Sequence, residues 1–272
     1  MKLSRLLRIL LLTVVIGVVP ASSFAAVFIS VGVAPPALPV YVQPPCPRPG
    51  LMWTPGYWGY GPAGYYWIPG AWVPSPAVGM LWTPPYWGFM GGAYVFHEGY
   101  WGPHVGYYGG INYGFGYVGV GFVGGEWRGG AFAYNRAVMN VNTTVVHNTY
   151  VNRTVINKTT INNYNHVAYS GGPGGINHPP TPQERTAMNE SHLAPTAAQA
   201  QHVQAAAQSP QQRFSANHGQ PATMAAARPM TAPRQGMAMN RGGQHYGYRA
   251  RQQNRQQRAE PRANYEHPHG RW

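Results

Sequence analysis

The chain has 272 residues, with 19 Lys and Arg against 6 acidic residues and a formal net charge of +13. It holds no aspartate, so acid–base pairs must come from six scattered glutamates, of which only Glu98 and Glu126 lie in the aromatic half. The 35 glycines and 27 prolines exclude a large helical or α/β core, and the single cysteine, Cys46, excludes an internal disulfide.

The N-terminus reads as an export signal. Lys2, Arg5 and Arg8 precede an apolar run from Ile9 to Val19, Pro20 ends it, and Ser23-Phe24-Ala25 supplies the small-x-small pattern for cleavage after Ala25. The run is shorter than the roughly 20 residues that span a bilayer, and no later stretch is longer, so no integral membrane span is expected after processing. Residues 26–52 follow as a short strand and a connector. Val27, Ile29, Val31 and Val33 alternate onto one strand face, and the proline-rich stretch from Ala34 to Pro49 predicts an extended, polyproline-like segment carrying Cys46 as a free thiol.

Residues 53–137 predict an aromatic and glycine-rich module. Four segments recur at spacings of 14 to 15: Trp53-Thr54-Pro55-Gly56-Tyr57-Trp58, Trp67-Ile68-Pro69-Gly70-Ala71-Trp72, Trp82-Thr83-Pro84-Pro85-Tyr86-Trp87 and Phe96-His97-Glu98-Gly99-Tyr100-Trp101. Pro55-Gly56 and Pro69-Gly70 suit the centre of a type II turn, which sets Trp53 opposite Trp58 and Trp67 opposite Trp72. Type II turns splay hairpins, so corners are the alternative. One unit cannot bury its aromatic face alone, and neighbouring copies are expected to pair.

The Trp-x-x-Gly-x-Trp spacing, intact at Trp53–Trp58 and Trp67–Trp72, resembles the bacterial WXXGXW (YXWGXW) repeat proteins over about 50 residues, from Trp53 to Trp101. The resemblance implies an exported or envelope-associated protein and implies no activity. Trp53, Trp58, Trp67, Trp72, Trp82, Trp87 and Trp101 are the candidate residues, either as the module's own core or, for Trp58, Trp72 and Trp87, as flat platforms for sugar rings.

Beyond the repeats, Tyr113 to Tyr117 alternates bulky residues with glycine, and Val118 to Phe122 resumes one residue out of phase. This predicts a strand whose glycine face lies under the tryptophans, with a bulge or turn at Tyr117-Val118. Residues 138–169 contain a period-five Asn/Thr/Val segment (142–161) that reads as an extended connector. Residues 170–272 form a basic, low-complexity tail. Within it, Thr181-Pro182-Gln183-Glu184 is a capping box opening a short helix, and Thr196 caps a second one from Ala197 to Gln208. Neither helix has an apolar stripe, and from Ser209 onward the composition predicts disorder.

The fold class is therefore mostly β and irregular, with a largely disordered C-terminal tail. No catalytic set is expected. Glu98 beside His97 is the sole acid–base neighbour pair in the aromatic half and reads as turn decoration. No metal site and no cofactor are expected, since the 11 histidines are dispersed and only His267 and His269 sit close together in the chain. The expected partners are a second copy of the chain and an anionic envelope polymer or lipid surface, met by the eight Arg against two Glu in residues 233–272. Export removes nucleic acid from consideration and places the chain in the periplasm, on the outer envelope surface or outside the cell.

Overall fold

The computed structural model describes residues 29–154 and 166–231. The cleavage position at Ala25, the later copies of the period-five segment and the arginine-rich stretch from residue 232 lie outside them. The chain enters through β1 (Ser30–Val31). Val31 is buried, but Val33 is 66% exposed, so the expected four-residue face ends at Gly32.

The proline-rich connector lies extended across the module. Prolines carry no N–H but keep their carbonyls, and the donor-only indole N–H groups use this acceptor supply. Trp58 Nε1 donates to Ala37 O at 3.0 Å and Trp72 Nε1 to Pro44 O at 2.8 Å. Cys46 is fully buried, and its backbone is bonded to Asn140 and Asn142.

Two long, bent hairpins form the core. The first runs through β2 (Leu51–Thr54), β3 (Tyr57–Gly61), β4 (Gly64–Ile68) and β5 (Ala71–Pro74). The second runs through β6 (Leu81–Thr83), β7 (Tyr86–Met90), β8 (Ala93–His97) and β9 (Tyr100–Gly102). In each, the inner strands pair next to the tip, and the outer strands continue the same register beyond a corner. At the second tip, Gly91 and Gly92 both take positive φ, as a primed two-residue turn requires. β1 extends the second hairpin by pairing with β8.

The glycine-rich stretch differs from its predicted form. β10 (Asn112–Gly114) and β11 (Tyr117–Val118) are a tiny hairpin that reverses at Gly114-Phe115-Gly116, all three at positive φ. The reversal therefore comes before Tyr117-Val118. The phenols face the core in place of the expected glycine face: Tyr108, Tyr113 and Tyr117 are buried, and Tyr117 Oη donates to Trp82 O at 2.9 Å. The alternation read as a strand because left-handed φ leaves no mark on a bulky/glycine pattern.

A third hairpin, β12 (Gly125–Arg128) with β13 (Ala131–Asn135), is joined in parallel by β14 (Thr149–Tyr150). Tyr134 fastens it to the first repeat hairpin, its hydroxyl accepting from Leu51 N at 3.0 Å and donating to Leu51 O at 2.7 Å. Of the described period-five residues only Thr149–Tyr150 form a strand. Asn142 and Asn152 close Asx turns onto Thr144 N and Thr154 N, which bend the chain where an extended connector was expected.

β15 (Tyr169–Ser170) adds in parallel to β7. Both predicted helices are present, with both capping boxes: α1 (Pro182–Ala187) and α2 (Ala197–Gln208). A 3-10 turn (Pro210–Gln212) and α3 (Phe214–Asn217) follow. The expectation of disorder fails from Ser209 to Thr231. Gly70 N donates to Met224 O at 3.1 Å, Ala226 N to Gly70 O at 2.7 Å and Met230 N to Trp72 O at 2.8 Å, so this segment lies along the open side of β5. Backbone pairing holds it there, and composition carries no signal of that. Among the described residues, no helix is long and apolar enough to cross a membrane.

Candidate functional site at the hairpin corners

The repeat motif does its structural work at the corners. The ladder breaks where proline offers no N–H, and the register sets Pro55 opposite Gly70 and Gly56 opposite Pro69. Trp53 therefore faces Trp72, and Trp58 faces Trp67, across the two strands. The tight type II hairpin, which would have paired Trp53 with Trp58 and Trp67 with Trp72, is overturned, and the corner alternative is the one found. Each Pro-Gly is a corner within one arm, and the chain reverses in the spacer between motifs.

The glycines are not turn residues either, since neither Gly56 nor Gly70 has positive φ. Their task is to leave room. A Cβ on Gly56 would stand 2.2 Å from Trp67 Cζ2, and one on Gly70 would stand 2.6 Å from Trp53 Cζ2. Each corner glycine seats the indole of the other arm.

The resulting ring pairs are regular. Trp53–Trp72 and Trp58–Trp67 have centroids 5.3 Å apart at 65° and 66°. Trp82–Trp101 lies at 5.3 Å and 55°, and Trp87–Phe96 at 5.1 Å and 55°. Such edge-to-face pairs add about 0.5–1.5 kcal/mol each beyond the area they bury. Trp87 Nε1 donates to Trp58 O at 2.8 Å, which ties the second hairpin to the first.

All seven repeat tryptophans are buried, the most exposed being Trp82 at 4%. Stacking on a sugar needs a free ring face, so Trp58, Trp72 and Trp87 do not serve as platforms in this conformation. Sequence reasoning missed the residues that enclose them: Tyr41, Tyr134, Gln199 and His202. Gln199 was visible only as the third residue of a predicted helix. Its Oε1 accepts from Trp101 Nε1 at 2.8 Å as well as from Thr196 N at 2.8 Å, so one side chain caps α2 and satisfies an indole.

Between the two hairpins, beneath α2, lies a cleft of about 320 Å³. Pro55, Pro69 and Pro85 line it together with Tyr57, Trp82 and Phe96. Its polar groups are few. Glu98 is exposed at the rim, and His202 places Nε2 2.8 Å from Pro69 O. Burial lowers the His202 pKa below the ordinary imidazole value, which keeps the ring neutral near pH 7. His97, next to Glu98 in the chain, stacks flat on Tyr86 at 4.4 Å, and burial lowers its pKa too. Among the described residues, no three His, Cys, Asp or Glu side chains gather as a metal site would need.

The WXXGXW repeat matches the chain twice, over residues 48–73 and 78–101. Each match falls on one bent hairpin, so in this chain each matched repeat is a facing pair of the short motifs. No curated protein and no solved structure matches the chain.

Proposed function

Taking as premise that the chain carries two WXXGXW repeats, we propose that it is a non-enzymatic, exported protein of the cell envelope with a structural or interaction role. The observation that supports this most is the use of the repeat tryptophans. They are consumed in packing one another, so the motif's aromatic rings build the core of the module and leave no free ring face. The cleft wall offers one exposed carboxylate and one neutral imidazole bonded to a backbone carbonyl, a poor set for acid–base work.

The N-terminal charge, apolar run and small-x-small pattern support export, with Ala26 as the first mature residue. The eight arginines beyond residue 232 supply adhesion to an anionic polymer or lipid surface. Cell fractionation with mass determination of the native protein tests the first half of this reading. An envelope-located chain beginning at Ala26 is expected, and a cytosolic chain with Met1 intact would refute it. Co-sedimentation with anionic vesicles tests the second half. Binding should weaken as salt rises, and it should be lost in a chain ending at Thr231. Undiminished binding by the shortened chain would remove the tail from the account.

A further inference from the structure

The two hairpins are equivalent by register, and one of them is missing a cover. Trp82, Pro85, Phe96 and Gly99 of the second stand where Trp53, Gly56, Trp67 and Gly70 stand in the first. In the first hairpin this face is closed by Tyr41 from the connector. The Tyr41 ring lies 6.5 Å from Trp53 and 6.1 Å from Trp67. Its hydroxyl accepts from Gly56 N at 3.1 Å and sits 2.9 Å from where a Gly70 Cβ would be.

In the second hairpin the same face opens on the 320 Å³ cleft. Tyr57 stacks on Phe96 at 6.0 Å, but the atoms nearest a Gly99 Cβ include no phenol oxygen, and Pro85 Cδ stands there at 2.9 Å. The edge of Trp82 nearest its nitrogen lies against Gly99, and Trp82 Nε1 is buried without a hydrogen-bond partner among the described residues. That N–H is sealed among protein atoms, so an occupant of the cleft meets the ring of Trp82 and not its nitrogen.

The rim adds a charge. Glu98 is exposed there, and among the described residues no Lys or Arg lines the cleft. In a chain of net charge +13 this is a local reversal of sign. We propose that the cleft binds a small aromatic amine. The ring packs among Trp82, Pro85 and Phe96 beneath α2, and the ammonium rests beside Glu98. The volume suits one such ring, at the lower end of the range for small-molecule sites.

Calorimetric titration of the full chain with tyramine tests this. Saturable binding at one site per chain is expected. 3-(4-Hydroxyphenyl)propionate, the same ring with an anion in place of the amine, should bind more weakly by roughly fivefold or more. Glu98→Gln should erase that preference while leaving the fold unchanged. Phenethylamine, which keeps the ring and the ammonium, should bind about as well as tyramine. Val203→Trp, which fills the cleft from α2, should abolish tyramine binding with an unchanged far-ultraviolet dichroism spectrum and unfolding midpoint. Failure to saturate, equal affinity for amine and acid, or tyramine binding that survives Val203→Trp would each overturn the proposal.

Discussion

The two repeat hairpins solve one packing problem with different residues, and the difference shows which parts of the motif are fixed. The first has tryptophan at all four paired positions and Pro-Gly at both corners. The second replaces Pro69 by Glu98, Trp67 by Phe96 and, at the corner facing Phe96, Gly56 by Pro85. The changes at Phe96 and Pro85 belong together. Gly56 lies under the outer ring of Trp67, where a Cβ would come within 2.2 Å, and the smaller Phe96 leaves room for a proline ring. Gly99, in contrast, keeps its place opposite a retained tryptophan, with Trp82 Cζ2 at 2.5 Å from a Cβ there. The corner residue is set by the size of the ring it seats.

The largest loss should come from removing a ring that both hairpins keep. Trp72→Ala and Trp101→Ala are each expected to destabilise by about 3–5 kcal/mol in chemical denaturation. A markedly smaller cost at Trp101 would mean that the second hairpin is only an appendage of the first.

Next come the corners themselves. Gly56→Ala should cost about 3 kcal/mol by overpacking, whereas Pro85→Ala at the equivalent position should cost about 1 kcal/mol or less. Equal costs would break the distinction.

The hairpins also differ in how the last indole N–H is satisfied. Trp72 uses the backbone carbonyl of Pro44, which no substitution removes, while Trp101 uses the side chain of Gln199. Gln199→Ala is expected to cost about 1–2 kcal/mol, from a lost buried hydrogen bond and a weakened cap, and to loosen α2 in amide exchange. Unchanged protection of α2 would separate the helix from the repeat.

The smallest effect near neutrality should come from pH. Burial raises Tyr41 around the first hairpin and Tyr108, Tyr113 and Tyr117 around the second above the ordinary phenol value of 10.0. The folded state then holds protons that the unfolded state releases, so this contribution is complete below about pH 10 and declines above it. Phenolate absorbance of these groups should rise together with loss of the fold. Titration at the ordinary value with the fold intact would place the phenols in water.

Local grammar was legible in the sequence and long-range closure was not. Both capping boxes, Thr181 with Glu184 and Thr196 with Gln199, follow from residues three apart, and both are present. The four aromatic motifs were also readable, but a 14-residue spacing is consistent with reversal at Pro-Gly or with reversal between motifs. Only the crowding of Gly56 against Trp67 decides it, and that contact spans 11 positions. The docking of Met224 to Met230 along β5 was invisible, since backbone groups make it and any sequence supplies those. Tyr41 was hidden in the proline-rich connector, where composition predicted a spacer and packing made it a lid on the first hairpin.

Corner glycines exist to seat opposing indoles, and a double-mutant cycle decides whether they do. Gly56→Ala, Trp67→Phe and the combination are compared by denaturant unfolding. Trp67→Phe is expected to rescue Gly56→Ala, leaving the double variant more stable than Gly56→Ala alone by roughly 1 kcal/mol or more. Losses that simply add would show that Gly56 serves something other than the ring of Trp67.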